Sequence, residues 1–252
     1  MRFSRAIPIS SVRWWRGEVK MNTALIVLLA ATVVLVGLAA VFLGQEKGAA
    51  GESENGTVKL PQPQTAGRVS VEEALAGRRS VRDYGAASLT LADLGQLLWA
   101  AQGVTDVRGY RTAPSAGALY PLEVTVAAGT VADLPAGVYR YVPSGHLLRR
   151  LADGDARSAL ARVALNQSAI EDAAAVIAIS GVYERTTGKY GERGVRYVYM
   201  EAGHASQNIY LQAVPLGIGT VSIGAFDDGG VRRVLRMEED ERPIYLMPVG
   251  RV

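Results

Sequence analysis

Arg111-Thr-Ala-Pro-Ser-Ala-Gly-Ala-Leu-Tyr-Pro-Leu-Glu123 sets small residues between two prolines and leaves backbone amides uncovered. Proline fixes the backbone at Pro114 and Pro121, and Gly117 permits a tight turn between them, so the stretch reads as a rigid loop suited to close approach of a flat or charged ligand. By itself it cannot be told from an ordinary Pro/Gly surface connection. Its partners elsewhere give it weight: Arg78-Arg79-Ser80-Val81-Arg82-Asp83-Tyr84 upstream, and Met247-Pro248-Val249-Gly250-Arg251 at the C-terminus.

The elements around this loop follow from periodicity. Ser70-Val-Glu-Glu73 is a capping box that opens a short helix closing at Gly77, and Thr90-Leu-Ala-Asp93 opens a second over 91–102, with Leu94, Leu97, Leu98 and Ala101 as its apolar stripe. Strands are expected over 123–128 and 138–142, and a helix over 155–165. The unbroken apolar run 173–182 has the length and composition of a central strand buried on both faces. Val198, Ala202, Ala205, Ile209 and Ala213 then mark a long central helix over 195–214, in which His204 reads as a hydrogen-bonded core histidine. Short strands at 220–223 and 244–249 flank a helix at 230–236. Helices and strands mix without regular βαβ alternation, which predicts an α+β fold with a mixed sheet.

Composition narrows the chemistry. The 252 residues include no cysteine and two histidines, which excludes disulfides, thiol nucleophiles, iron–sulfur clusters and thiolate zinc sites; no metal site is expected. Redox work would therefore need an organic cofactor. The net charge of +3 is uneven: Arg2, Arg5, Arg13, Arg16 and Lys20 against Glu18 put +4 at the N-terminus, so the rest of the chain carries −1. A nucleic-acid partner is not expected. After the basic segment 1–22, residues 23–44 are apolar and uncharged over a length that spans a bilayer, which predicts a transmembrane helix or uncleaved anchor; a cleaved signal peptide is the alternative. The basic flank puts the N-terminus in the cytoplasm and the C-terminal domain outside it, as a single-pass membrane protein. Residues 45–67, rich in Gly, Pro, Gln and Thr, read as a flexible linker to a domain over 68–252.

Lys189-Tyr190-Gly191-Glu192-Arg193-Gly194 and Glu201-Ala202-Gly203-His204-Ala205-Ser206-Gln207-Asn208 complete the pattern. From Val69 to Arg251, in consistent order, these segments resemble the flavin-dependent nitroreductase superfamily, and within it the SagB-type peptide azoline dehydrogenases. The resemblance implies a nitroreductase-like sheet surrounded by helices and a homodimer holding flavin mononucleotide (FMN) at its interface. Arg78, Arg79, Ser80 and Arg82 would take the phosphate, with Arg251 closing the site, although an arginine run after a helix can also be a solvated cluster. Pro114, Ser115, Ala116, Gly117 and Leu119 would line the flavin ring, commonly from the second subunit. Other nitroreductases carry a further Ser and an Asn where this chain has Ala116 and Ala118, so the match is closer to the azoline branch.

Gly217-Ile-Gly-Thr-Val-Ser-Ile-Gly224 resembles the segment that presents amides near flavin N5, through Ile223 and Gly224. It is a poor dinucleotide fingerprint because it follows a helix instead of opening one. Lys189 and Tyr190 match the acid/base pair of azoline dehydrogenases, the alternative being an ordinary lysine on a glycine-flanked loop. The expected activity is oxidation of an azoline-type heterocycle, in a small molecule or peptide, by hydride transfer to flavin. The alternatives are an NAD(P)H-dependent nitro or quinone reductase and a membrane-tethered flavin-binding module without turnover.

Overall fold

The computed structural model describes residues 56–252; the segments expected at 1–22 and 23–44, and the start of the linker, lie outside the described residues. Seven strands form one sheet: β1 Thr57–Lys59, β2 Leu122–Ala128, β3 Gly137–Val142, β4 Leu147–Asp153, β5 Ala175–Val182, β6 Ile218–Thr220 and β7 Glu241–Arg251. Their order is β1-β4-β3-β2-β5-β7-β6 and every ladder is antiparallel. The sheet is mixed only through isolated parallel bridges, Ser80 with Thr220 and Leu89 with Val131.

Strand β5 lies between β2 and β7, and all eight of its residues are buried, as its unbroken apolar run requires. Its alternating side chains serve two cores. Ala175, Ile177 and Ile179 face helices α2 (Leu91–Gln102) and α6 (Arg193–Leu216). Val176 and Ala178 face α3 (Arg157–Val163), α4 (Ser168–Asp172) and α7 (Asp228–Val234). Both expected capping boxes form, Ser70 with Glu73 on α1 (Val71–Gly77) and Thr90 with Asp93 on α2, so these helices begin where the sequence places them.

Two expectations need correction. The linker 45–67 contains an edge strand: β1 pairs with β4, and Val58 and Leu60 are 1% and 2% exposed in the main core. Val58 in the strand and Leu60 just past it, spaced i, i+2, suffice for its inward face, a signal too short to stand out from Gly/Pro-rich surroundings. His204 is exposed rather than in the core. It follows Met200 by one helical turn on the outward face of α6, whereas Ala202, Ala205 and Ile209 point inward. Among the described residues no helix is long and apolar enough to cross a membrane.

Candidate functional site

The sequence-expected residues gather into two clusters on opposite sides of α6. The first is built around Tyr210. Its hydroxyl accepts the Ser222 amide at 2.8 Å and lies 3.2 Å from the Ser80 hydroxyl, while the Arg78 guanidinium sits 5.4 Å above its ring. The Val81 amide donates to the Thr220 carbonyl at 2.9 Å, which fixes the arginine segment against the 220–224 strip. Arg82 is exposed beside these groups, and Gly224 is exposed with open space where a Cβ would stand. Among the described residues the Gly224 amide has no hydrogen-bond partner. Arginines, a hydroxyl and an uncommitted amide on two segments tied together in this way suit an anionic, ring-bearing ligand.

Three other expected contacts are engaged elsewhere. The Arg79 guanidinium turns back on its own helix, donating to the Ala76 and Arg78 carbonyls. Ile223 is 5% exposed in the second core, and both its backbone groups pair with Leu246, so Gly224 alone remains of that pair. Arg251 is held by Asp93 at 2.5 Å and donates to the Leu216 carbonyl at 2.6 Å, which ties the C-terminus of α6 to the N-terminus of α2.

The second cluster is the Pro114 loop with the Lys-Tyr pair. A 3-10 turn over Ala116–Ala118 places Gly117, Ala118 and Tyr120 in the left-handed region, at φ 64°, 53° and 47°. For the two non-glycine residues this conformation costs about 1–2 kcal/mol each. The Ala118 amide donates to the Ser115 carbonyl and the Tyr120 amide to Ser115 Oγ at 2.9 Å, so Ser115 anchors the turn. Pro114 is exposed at its head, and Ala116 and Leu119 are half-buried.

Helix α5 (Glu184–Tyr190) delivers Lys189 and Tyr190 to this turn, so neither lies on the glycine-flanked loop that was the alternative. A Cβ on Gly117 would stand 2.7 Å from Tyr190 Oη and 2.9 Å from Lys189 Nζ, so the pair closes directly over the one residue with no side chain. Tyr190 packs edge-on to Tyr197 at 5.2 Å. Arg185 clamps the helix in place, pairing with Glu123 at 2.6 Å and donating to the Tyr120 carbonyl at 3.2 Å.

Sequence reasoning missed three residues beneath this loop or behind the first cluster. Tyr210 was hidden in a helical apolar stripe. Arg111 stacks 4.4 Å from the Tyr120 ring and donates to Gln102 Oε1 at 2.8 Å; burial lowers its pKa, offset by Glu123 and Glu201. Glu201 is 2% exposed, and burial pushes its carboxyl up to about 7, while Ser115, Arg111 and Gln102 draw it back down. The signal for Glu201 was a lone carboxylate among Val198, Ala202 and Ala205, all on the inward face of α6.

A model of the nitroreductase family matches residues 75–251. The chain is a member of the nitroreductase family. It is 50% identical over 183 residues to a protein of Methanocaldococcus jannaschii provisionally named a nitroreductase, covering 73% of this chain and 91% of that one. A solved Anabaena variabilis protein with the same provisional name is 34% identical with a TM-score of 0.65; it covers 72% of this chain, which spans 38% of its length. The E. coli microcin synthetase McbBCD complex, solved with truncated pro-MccB17 bound, shares the fold at 23% identity and a TM-score of 0.61, covering 76% of each chain. The chain is thus an oxidoreductase-family protein with the α+β nitroreductase fold.

Proposed function

We propose that this chain is an FMN-dependent dehydrogenase of azoline-type heterocycles, in which Lys189 and Tyr190 manage the substrate proton. The observation that carries this reading is the contact of Lys189 Nζ and Tyr190 Oη with Gly117 in the loop expected to line the flavin ring. Arg78, Ser80 and Arg82 would hold the phosphate, and the Gly224 amide would face the ring. When bound, FMN supplies the two-electron acceptor; the heterocycle loses a hydride from one carbon and a proton from the next. Lys189 and Tyr190 are the groups positioned to take that proton, Arg185 holds their helix, and Ser115 holds the turn beneath them. The McbBCD complex, solved with truncated pro-MccB17 bound, shares the fold.

The flavin would be shared between two copies. Tyr197 and Tyr210, which mark the two clusters, are 13 residues apart on α6, or about 20 Å along its axis and roughly 140° around it. Antiparallel pairing of two α6 helices would set the phosphate cluster of one copy beside the loop cluster of the other. The outward face offers apolar contacts for this: Met200 is 51% exposed, and Leu211 and Pro215 follow on the same face beyond His204. A groove of about 790 Å³ lined by Val71, Trp99, Leu211 and Pro215 continues that surface.

The test compares two half-reactions in the purified dimer. Lys189→Ala and Tyr190→Phe should retain the flavin spectrum and lose about 10²- to 10⁴-fold in azoline oxidation, the usual contribution of general acid–base catalysis. Reduction of the flavin by NAD(P)H needs no substrate base and should hardly change. Equal losses in both reactions would overturn the assignment. The names of the M. jannaschii and Anabaena relatives favour a second reading, NAD(P)H-dependent reduction of nitro or quinone substrates, which fast flavin bleaching by NAD(P)H would support. We further infer from the sequence that residues 23–44 anchor the domain to a membrane, with the domain outside the cytoplasm. Protease added to intact spheroplasts should then release it.

A further inference from the structure

The strained turn from Ser115 to Tyr120 rests on a group of buried polar side chains for which the flavin reading has no task. Glu201 comes from the inward face of α6, Gln102 from the last turn of α2, and Arg111 and Ser115 from the loop itself. Glu201 is 2% exposed and Gln102 fully buried, yet Glu201 Oε1 and Gln102 Nε2 have no hydrogen-bond partner among the described residues. The Ser115 hydroxyl and the Gln102 amide adjoin the carboxyl and favour its charged form without a well-aligned bond to Oε1. Leaving a carboxylate oxygen buried and unpaired is costly, and an apolar residue here would join the stripe of Val198, Ala202 and Ala205. A carboxyl group in that stripe calls for a role of its own.

That role is legible in the direction of the hydrogen bonds. The Tyr120 amide donates to Ser115 Oγ, so the hydroxyl's own proton is free for another acceptor, and the Glu201 carboxyl lies beside it. The amide-to-hydroxyl bond thus leaves the hydroxyl a donor toward the carboxyl on α6. We propose that Glu201 is a positioning residue for the loop expected to face the flavin: ionised, it accepts a hydrogen bond from the Ser115 hydroxyl and fixes the turn; protonated, it gives that bond up. The latch is a property of the chain itself, whereas its consequence for the cofactor rests on the flavin reading.

The charged surroundings set where the latch works. Arg111, from the start of the loop, is the cation that acts on the carboxyl; Gln102 contributes a neutral amide from α2. Glu123 of β2 and Arg185 of α5 pair with each other and bear on Arg111, and Lys189 and Tyr190 lie across Gly117. Burial outweighs these groups and holds the carboxyl near 7, so its ionised fraction falls about tenfold between pH 8 and pH 6.

Amide hydrogen exchange on the full chain without flavin reads the turn directly. After correction for intrinsic rates, peptides over residues 112–121 should lose about tenfold in protection from pH 8 to pH 6, while peptides of β5 and α2 stay constant. Glu201→Gln, close in shape and uncharged, and Ser115→Ala should each leave the turn poorly protected at both values. Flavin affinity, measured in parallel by fluorescence quenching, should weaken at pH 6 in the unmodified chain and be independent of pH in Glu201→Gln. Unchanged protection between pH 8 and pH 6, or a pH dependence that survives in Glu201→Gln, overturns the latch. Failure to bind flavin at either pH, with the exchange pattern as expected, would instead overturn the flavin reading and leave the latch standing.

Discussion

Replacing Gly117 by Ala separates the fold of the loop from its chemistry. The residue sits at φ 64°, so an alanine there costs about 1–2 kcal/mol in backbone strain. Its Cβ would also stand 2.7 Å from Tyr190 Oη and 2.9 Å from Lys189 Nζ, whereas ordinary contact begins at 3.4 Å, so the two groups must retreat by about 0.7 and 0.5 Å. Both atoms are the far ends of flexible side chains, and they can swing aside with little further loss of stability. Catalytic geometry tolerates such movement poorly, a misplacement of about 1 Å costing on the order of 10²-fold. Urea denaturation should therefore show a loss of about 1–2 kcal/mol, and stopped-flow oxidation of an azoline substrate a loss of about 10- to 100-fold. Flavin reduction by NAD(P)H serves as the control and should stay within a few-fold. If the effect runs through the Lys-Tyr pair, Gly117→Ala should cost almost nothing more in a Lys189→Ala, Tyr190→Phe background. An undiminished loss in that background would refute the reasoning, as would equal losses in both half-reactions.

Glu201 carries a stability signature of its own. Its folded carboxyl is raised from 4.5 to about 7 by burial, so between those values the folded state keeps a proton that the unfolded chain has released, and stability falls as pH rises through the window. At 1.36 kcal/mol per pH unit the ceiling is about 3 kcal/mol; the stability of Glu201→Gln relative to the unmodified chain should rise by up to that amount from pH 4 to pH 8, and a flat difference would contradict the buried charge. Tyr210→Phe removes the acceptor of the Ser222 amide and the partner of Ser80, and Arg82→Ala an exposed cation. By equilibrium dialysis, Arg82→Ala should weaken FMN about tenfold or more and riboflavin much less, since a charge-assisted bond to phosphate contributes about 1.5–3 kcal/mol; Tyr210→Phe should weaken both. Leu60→Ala, at a 2% exposed position, should cost about 2–5 kcal/mol in urea denaturation, whereas a flexible linker would register almost nothing.

Local signals in the sequence determined the elements. Both capping boxes, the stripe of α2, the buried run of β5 and the inward face of α6 are consequences of chain stereochemistry and of which residues water rejects, and each is readable within a few neighbouring positions. The order of motifs likewise determined the family, whereas only the fold brings Lys189 and Tyr190 onto Gly117. Tertiary structure alone decided which polar groups are free. Arg251 and Arg79 look like phosphate ligands until their guanidiniums are found on Asp93 and on nearby carbonyls, and Ile223 until its amide is found in the sheet. Glu201 looks like one more helix residue until burial beside Ser115 gives its charge a cost. Partnership and desolvation depend on residues far away in the chain, such as Asp93 for Arg251 or Ser115 for Glu201, so periodicity within a segment carries no record of them.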